Sequence, residues 1–269
     1  MGGYDFTGKT VWVTGGETPM GRQIAGMFAR EGARLLISGV NDFADSDVIC
    51  YEYNPTNEDH ANNALALIDT LDITVIANRY IKKSSLLSGT VELFDEMIEK
   101  NLTHAWCATR ATAGKIGKKR GGVILFITSI HGEKPSVSAP FYSMACGGVN
   151  MLMKEAAQDF GRLGIRCNQL RGGFLSGDDE LFINELSNES LNEGLGFYHN
   201  FDLMIPRGAP GTLEEAGKAA LFLCSDNASF INGATLTMDG GSLGFYGNMD
   251  AEERWDFGYV HNTGNRGTV

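Results

Sequence analysis

The chain has 269 residues, of which 43% are hydrophobic, and a formal net charge of −11 at pH 7. This length suits one large α/β domain, and the apolar fraction excludes a wholly disordered chain. The negative charge, with no basic run, argues against nucleic acid or an anionic membrane surface as partners. No apolar stretch reaches the roughly 18 residues that span a bilayer, and the N-terminus lacks a secretory pattern, so we expect a cytoplasmic protein.

Short apolar strands alternate with helical stretches in the first half of the chain. The pattern predicts strands at Thr10–Thr14, Arg34–Ser38, Val48–Tyr53 and Ile73–Ala77, and helices at Gly21–Glu31 and Glu58–Leu71, the second of them after a turn at 54–57. The alternation is typical of βαβ units, in which parallel strands are covered by helices on both faces.

The second half continues this alternation. It predicts helices at Glu92–Ile116, Tyr142–Leu163 and Leu213–Leu223, the last capped by Thr212, and strands at Gly121–Thr128, Ile165–Leu170 and Ala234–Met238. We therefore expect a single-domain, doubly wound, Rossmann-like parallel sheet over residues 1–243, with ligands beyond the carboxyl ends of the strands. An acidic stretch at about 176–203 reads as an insert, and 244–269 as a C-terminal tail with several aromatic residues.

The cysteines give no sign of a disulfide framework or a metal site. The five of them are scattered, and no pair has CxxC spacing. Such a set indicates free, buried thiols in a reducing compartment. We expect no structural or catalytic metal.

The turn after the first strand reads TGGETPMG and carries Gly15 and Gly21. In a dinucleotide site, glycines there allow a tight turn and let the backbone approach the pyrophosphate at the helix N-terminus. Here Pro19, which has no N–H and a fixed φ, stands at the middle glycine position. The glycines alone are compatible with a structural turn and with a phosphate cradle.

Ser129 directly follows a predicted strand, and Tyr142 follows thirteen residues later at the start of a helix. Other recognisable segments are FTGKTVWVTGG, LDITVIAN, NLTHAWCATRA, ITSIHG around Ser129, GIRCNQLRGGF and, most specifically, LFLCSDNASFINGATLTMDGG. Through these segments the chain resembles the compact single-domain branch of the short-chain dehydrogenase/reductase superfamily from about Phe6 to Gly241.

The resemblance implies catalytic roles for a serine, a tyrosine, a lysine and an asparagine. Ser129 would orient the substrate oxygen, Tyr142 would exchange its proton, and Asn101 would support a water relay. The lysine, four residues after the tyrosine, would lower the tyrosine pKa and hold the nicotinamide ribose, but this position is Cys146. The catalytic set therefore reads as vestigial, and Cys146 reads as a small helix-packing residue.

Several cofactor positions that the resemblance implies are also altered. Gly15, Gly21 and Asn78 remain as cofactor-binding candidates. Among the other positions, Asn54 replaces an adenine-contacting aspartate, Arg79 replaces a glycine, Gly172-Gly173 replaces Pro-Gly, and only Gly39–Asp47 joins the second strand to the third where a helix is usual. We therefore expect no NAD(P) binding, or weak binding.

Three functions remain open. The first is a non-catalytic or nearly inactive subunit that supports an active NAD-dependent paralogue, similar to the inactive partner in a heteromeric hydroxyacyl-CoA dehydrogenase of anaerobic toluene (benzylsuccinate) degradation. The second is an active NAD(P)-dependent oxidoreductase with an atypical site. The third is a cofactor-independent lyase resembling halohydrin dehalogenases, which keep the serine and tyrosine.

The resemblance also implies an oligomer, formed with an active paralogue or with copies of the chain itself. Family members assemble through two long helices, here around Leu102–Gly114 and Tyr142–Leu163, and through the last strand. We expect the apolar side of Met151–Phe160 to need a neighbouring subunit. The tail aromatics Trp255, Phe257 and Tyr259 are predicted to reach across such an interface.

Overall fold

The computed structural model describes residues 3–40, 42–43, 48–52, 58–116, 121–136, 138–178 and 205–244. The predicted turn at 54–57, Asn54, most of the predicted insert and nearly all of the tail, including its aromatic residues, lie outside these described residues. The link between the second and third strands is described only in part.

Nine strands and six α-helices are described within these ranges. The strands are β1 (Thr10–Thr14), β2 (Arg34–Ser38), β3 (Ile49–Tyr51), β4 (Ile73–Ile76), β5 (Gly122–Ser129), β6 (Ile165–Gly172), β7 (Leu175–Ser176), β8 (Gly211–Thr212) and β9 (Thr235–Met238). The helices are α1 (Pro19–Arg30), α2 (Glu58–Ala66), α3 (Val91–Ile98), α4 (His104–Ile116), α5 (Pro140–Gly161) and α6 (Leu213–Cys224).

Seven of the strands form one parallel sheet in the order β3-β2-β1-β4-β5-β6-β9. The strand order reverses direction between β1 and β4, which creates a crevice at their carboxyl ends. This arrangement confirms the predicted doubly wound α/β fold. A separate pair, β7 and β8, lies close to the same end of the sheet because β7 follows directly after β6.

Alternation along the strands divides the core into two layers. In β1, Val11 and Val13 pack with α1 and α6 on one face, whereas Trp12 packs with α2, α4 and α5 on the other. This follows from the two-residue period of a strand, and burial of both faces explains why β1 reads as a continuous apolar run.

Two predicted helices differ from those observed by more than a shift of one or two residues at their ends. The helix predicted to end at Leu71 stops at Ala66 because the Lys115 ammonium donates to the carbonyls of Leu65 and Ile68, at 2.9 and 2.6 Å, and so caps the helix end. The long helix predicted at Glu92–Ile116 contains a π-helical turn at Glu99–Thr103 between α3 and α4. Such turns are often found at functional sites.

The apolar side of α5 does not need a second subunit. Met153, Ala156 and Ala157 are buried against the chain's own sheet, so the expectation stated for Met151–Phe160 is wrong for that side. Met151, by contrast, remains exposed on the outer side of the helix.

Within the described ranges, all five cysteines are free, and four of them are buried. No group of three or more His, Cys, Asp or Glu side chains in the described part of the chain is placed to hold a metal ion. None of the helices described is long and apolar enough to cross a membrane.

Candidate active site

A cavity lies beyond the carboxyl ends of β4, β5 and β6. Eight of the positions singled out from the sequence line it: Asn78, Arg79, Asn101, Ser129, Tyr142, Cys146, Gly172 and Gly173. Its other walls are largely apolar and include Ile76, Ile127, Val149, Leu170, Leu175 and Met238. The fold thus brings together residues from five separate segments, while their chemical roles remain predictions.

Ser129 and Tyr142 reach the cavity from the end of β5 and the start of α5. The Ser129 Oγ accepts a hydrogen bond from the backbone N–H of His131 at 3.3 Å. Pro140 opens α5, where its missing N–H costs nothing, and this places Tyr142 in the first turn of the helix. Tyr142 is only 3% exposed, and the His131 ring packs edge-on to it with the ring centroids 6.4 Å apart.

Cys146 lies one helical turn beyond Tyr142 on the same side of α5. It is 4% exposed, and burial raises the pKa of its thiol to about 11. Smaller opposing effects come from hydrogen bonds with the Tyr142 side chain and the Ser129 backbone and from the charges of Arg79 and Arg171. At neutral pH the side chain beside Tyr142 is therefore an uncharged thiol, which fits the predicted packing role and excludes a ready nucleophile.

Asn101 lies in the π-helical turn and is fully engaged with the backbone. Its Oδ1 accepts from the Tyr80 N–H at 3.0 Å, and its Nδ2 donates to the carbonyls of Tyr80 and Met97 at 2.8 and 2.9 Å. The side chain fastens the segment after β4 to the helix and shapes one wall of the cavity. These bonds also explain why the long helix widens into a π turn at this point.

The turn after β1 is tight for steric reasons that need no ligand. Gly15 has φ +78°, and a Cβ there would lie 2.5 Å from the Ala77 carbonyl carbon. A Cβ on Gly21 would lie 2.1 Å from the Gly15 carbonyl oxygen. The Thr18 hydroxyl accepts from the Gly21 N–H at 2.9 Å and so caps α1. Pro19 is the first residue of that helix, so it does not disrupt the turn.

Arg79 extends from the segment after β4 and forms an ion pair with Asp178. The distance from its Nη1 to the carboxylate is 2.6 Å, and both residues line the cavity. The second Asp178 oxygen accepts from the Met20 N–H, in the first turn of α1, at 3.2 Å. Next to Arg79, Asn78 donates to Glu17 at 3.3 Å.

A second arginine approaches the site from β6. The Arg171 side chain is buried, pairs with the largely exposed carboxylate of Glu133, and is close enough to Cys146 to influence the pKa of its thiol. The guanidinium groups of Arg79 and Arg171 are therefore both paired with carboxylates. This pairing reduces the positive electrostatic potential that they produce at Tyr142 and Cys146.

The residues present do not fit a nicotinamide dinucleotide held as the resemblance implies. A neutral buried thiol stands where a lysine would contact the nicotinamide ribose. Arg79 stands at a position that would be glycine, and the carboxylate that it binds lies at the N-terminus of α1, where a phosphate would bind. Asn78, one of the cofactor candidates, lines the cavity but directs its amide toward Glu17.

Comparison with known proteins defines the class. The family model described as enoyl-(acyl carrier protein) reductase matches residues 16–242. The chain is 31% identical over 253 residues to the 3-oxoacyl-acyl-carrier-protein reductase FabG of Chlamydia trachomatis serovar D, covering 87% of this chain and 96% of that protein. It is 29% identical over 247 residues to FabG of Rickettsia typhi, covering 89% and 98%.

Solved structures share the fold at lower identity. The ligand-free aldohexose dehydrogenase of Thermoplasma acidophilum superposes with a TM-score of 0.81 at 22% identity, covering 91% of this chain and 98% of that one. A putative gluconate dehydrogenase from Agrobacterium tumefaciens gives a TM-score of 0.79 at 24% identity, with coverage of 90% and 98%. The fold and these matches define an α/β oxidoreductase class. The chain belongs to the short-chain dehydrogenase/reductase superfamily, which is NAD(P)-dependent.

Sequence reasoning missed the partners of the arginines. Arg79 stands out in the sequence only because it replaces a glycine, while Asp178 lies at the start of the predicted insert and has no recognisable spacing. Glu17 and Glu133 were passed over for the same reason, since a single acidic residue in a loop is usually solvated.

Proposed function

We propose that this chain is a non-catalytic or nearly inactive member of its superfamily that supports a related, active NAD-dependent alcohol dehydrogenase subunit in a hetero-oligomer. The observation that carries the proposal is Cys146. A buried, uncharged thiol stands beside Tyr142 where the family's chemistry calls for an ammonium group.

The physical argument concerns the proton that the tyrosine must exchange. A tyrosine without a nearby cation titrates near pH ~10, so only roughly one in a thousand is ionised at pH 7. General acid–base catalysis falls when the pKa lies far from the working pH. Arg79 and Arg171 do not replace the positive charge of the lysine, because each guanidinium group is paired with a carboxylate. Arg79 pairs with Asp178, and Arg171 pairs with Glu133.

Exposed apolar side chains support the oligomer. Trp106 on α4 and Met151 on α5 are about half exposed on the outer side of these helices. Phe230 and Leu236 are exposed near β9, which is an edge strand of the sheet. Apolar groups and an open strand edge at these places favour association with another subunit. We expect the partner to be a hydroxyacyl-CoA dehydrogenase of the same superfamily. Such a partner would present helices and a strand that correspond to α4, α5 and β9.

Co-expression tests the proposal. The chain is produced together with the superfamily members encoded nearest to it, and complexes are separated by size. We expect one defined hetero-oligomer whose dehydrogenase activity with 3-hydroxyacyl thioesters exceeds that of the partner alone. A partner whose activity and size are unchanged by this chain would contradict the proposal.

The relatives support a second candidate, an active NAD(P)-dependent oxidoreductase. Several of them are named 3-oxoacyl-acyl-carrier-protein reductases, and the match extends over nearly the whole chain. This candidate requires turnover by the purified chain alone, which the first candidate excludes. The lyase alternative gains no comparable support, because Tyr142 would lack a helper there as well.

A further inference from the structure

The Asp178 carboxylate is held from two sides. One oxygen receives the Arg79 guanidinium at 2.6 Å, and the other receives the Met20 N–H at 3.2 Å. The Asp178 side chain is only 6% exposed, and that of Arg79 is 22% exposed. A buried carboxylate loses its hydrogen bonds to water. Here the Arg79 cation and a backbone N–H replace them, and this offsets the free-energy cost of burying the charge.

The position of this carboxylate relates it to the ligand crevice. Met20 is the second residue of α1, whose first-turn N–H groups have no partner within the helix and carry a partial positive charge. The helix begins after β1, next to the point between β1 and β4 where the strand order reverses. Asp178 therefore occupies the place at which such a helix end would receive an anionic ligand.

A second carboxylate lies on the other side of the same turn. Glu17 accepts a hydrogen bond from Asn78, and a Cβ on Gly39, just after β2, would lie 1.9 Å from a Glu17 oxygen. Glu17 is exposed to solvent, and partial desolvation by the surrounding protein raises the pKa of its carboxyl. Two acidic side chains thus flank the start of α1, one on the β2 side and one toward the cavity.

We propose that Asp178 is an internal anion that closes the phosphate end of the dinucleotide groove, held in place by Arg79 and the first turn of α1. A phosphate entering this site must displace the carboxylate, break its ion pair and face a second acidic group at Glu17. The inference goes beyond the proposed function, because an inactive subunit can still bind a dinucleotide.

The test uses ADP, which carries two phosphates but no nicotinamide, so that Cys146 does not influence the outcome. Calorimetric titration of the wild-type chain should show no saturable binding below roughly 1 mM. Asp178→Asn removes the charge at nearly constant size and frees Arg79, and it should bind ADP at least about tenfold more tightly. Adding Arg79→Met to Asp178→Asn should abolish most of this gain.

Asp226→Asn is the matched control, since Asp226 is an exposed carboxylate in the helical turn that follows α6. It removes one negative charge without touching the crevice and should leave ADP binding unchanged. An Asp178→Asn chain that melts like the wild type but gains no affinity would overturn the inference. If that variant does not fold, the titration of the wild-type chain decides. Saturable ADP binding by the wild-type chain would overturn the proposal that Asp178 closes the site, and a lack of ADP binding would support it. These titrations measure binding and do not depend on enzyme activity. The proposed function is tested separately by measurements of activity.

Discussion

Tyr142 and Cys146 are hydrogen-bonded neighbours one turn apart on the buried side of α5, so the phenol faces a neutral thiol. Both side chains are almost fully buried, and the cavity that they line also receives Ser129 and Asn101. The serine and tyrosine that the sequence predicts as catalytic thus line one cavity, while the side chain beside the tyrosine carries no charge.

Replacing the thiol by an amine should not restore an efficient enzyme. Cys146→Lys supplies the charge beside Tyr142 but leaves Asp178 and Arg79 in the groove, so we expect little NAD(P)H oxidation with 3-oxoacyl thioesters. The buried ammonium should also destabilise the fold by about 2 kcal/mol or more, because it is removed from water and lies near the positive charges of Arg79 and Arg171. Thermal unfolding and a spectrophotometric assay measure the two effects. Cys146→Ala is the control and should cost about 1 kcal/mol.

The glycine turn after β1 should prove essential for stability without any ligand. Gly21→Ala would push a methyl group against the Gly15 carbonyl oxygen, 2.1 Å away, and should cost about 2 kcal/mol. Gly114→Ala is the matched change in a helix, because among the described residues no atom outside the helix's own backbone lies within 4 Å of the added Cβ. It should stabilise the protein by about 0.5–1 kcal/mol. Chemical denaturation distinguishes them, and equal effects would contradict this explanation of the turn.

Much of the fold could be predicted because its signals are local. The strands β1 and β2 match the predicted ranges residue for residue, since buried parallel strands read as uninterrupted apolar runs. The capping box that Thr212 and Glu215 form at α6 was also visible as a cap before an apolar run. Helix ends set by distant contacts were not visible. Lys115 ends α2 from about 50 residues away in sequence.

The candidate site was predictable in its members but not in its electrostatics. Spacing and resemblance placed Ser129, Tyr142 and Cys146 together, and the fold brings them into one cavity. The contact between Arg79 and Asp178 joins residues 99 positions apart, and no motif in the sequence links one to the other. A pair of this kind depends on where two loops meet in space, and no local pattern encodes it.

His104 should make stability depend on pH. It is completely buried, bonded to Thr14 at 3.2 Å, and desolvation lowers its pKa from 6.5 to about 3. Below pH 6.5 the His104 imidazole binds a proton in the unfolded chain but stays neutral in the folded chain. The free energy of unfolding therefore falls as the pH drops from 6.5 toward 3. Between pH 7 and 5 this residue should account for a loss of about 2 kcal/mol.

The variant His104→Gln isolates this contribution. Its unfolding free energy should decline about 2 kcal/mol less than that of the wild type between pH 7 and 5, whatever its stability at pH 7. Parallel slopes for wild type and His104→Gln would show that the buried histidine takes up a proton in the folded state.

The chain alone should associate through the exposed sides of α4 and α5. Light scattering at micromolar concentration should give a species larger than one chain. Trp106→Lys should shift it to a smaller species because a charge replaces an apolar contact. Leu67→Lys, at a similarly exposed residue after α2, is the control and should leave the size unchanged. A wild-type chain that remains monomeric would refute this expectation.

The central claim is that the neutral Cys146 site does not carry out hydride transfer. Steady-state oxidation of NADH and of NADPH by the purified wild-type chain, with a 3-oxoacyl thioester as substrate, tests it most directly. The account predicts a rate that cannot be distinguished from the rate without protein at pH 6 to 9. Turnover on the order of 1 s⁻¹ or faster, in the range of ordinary enzymes, would contradict it.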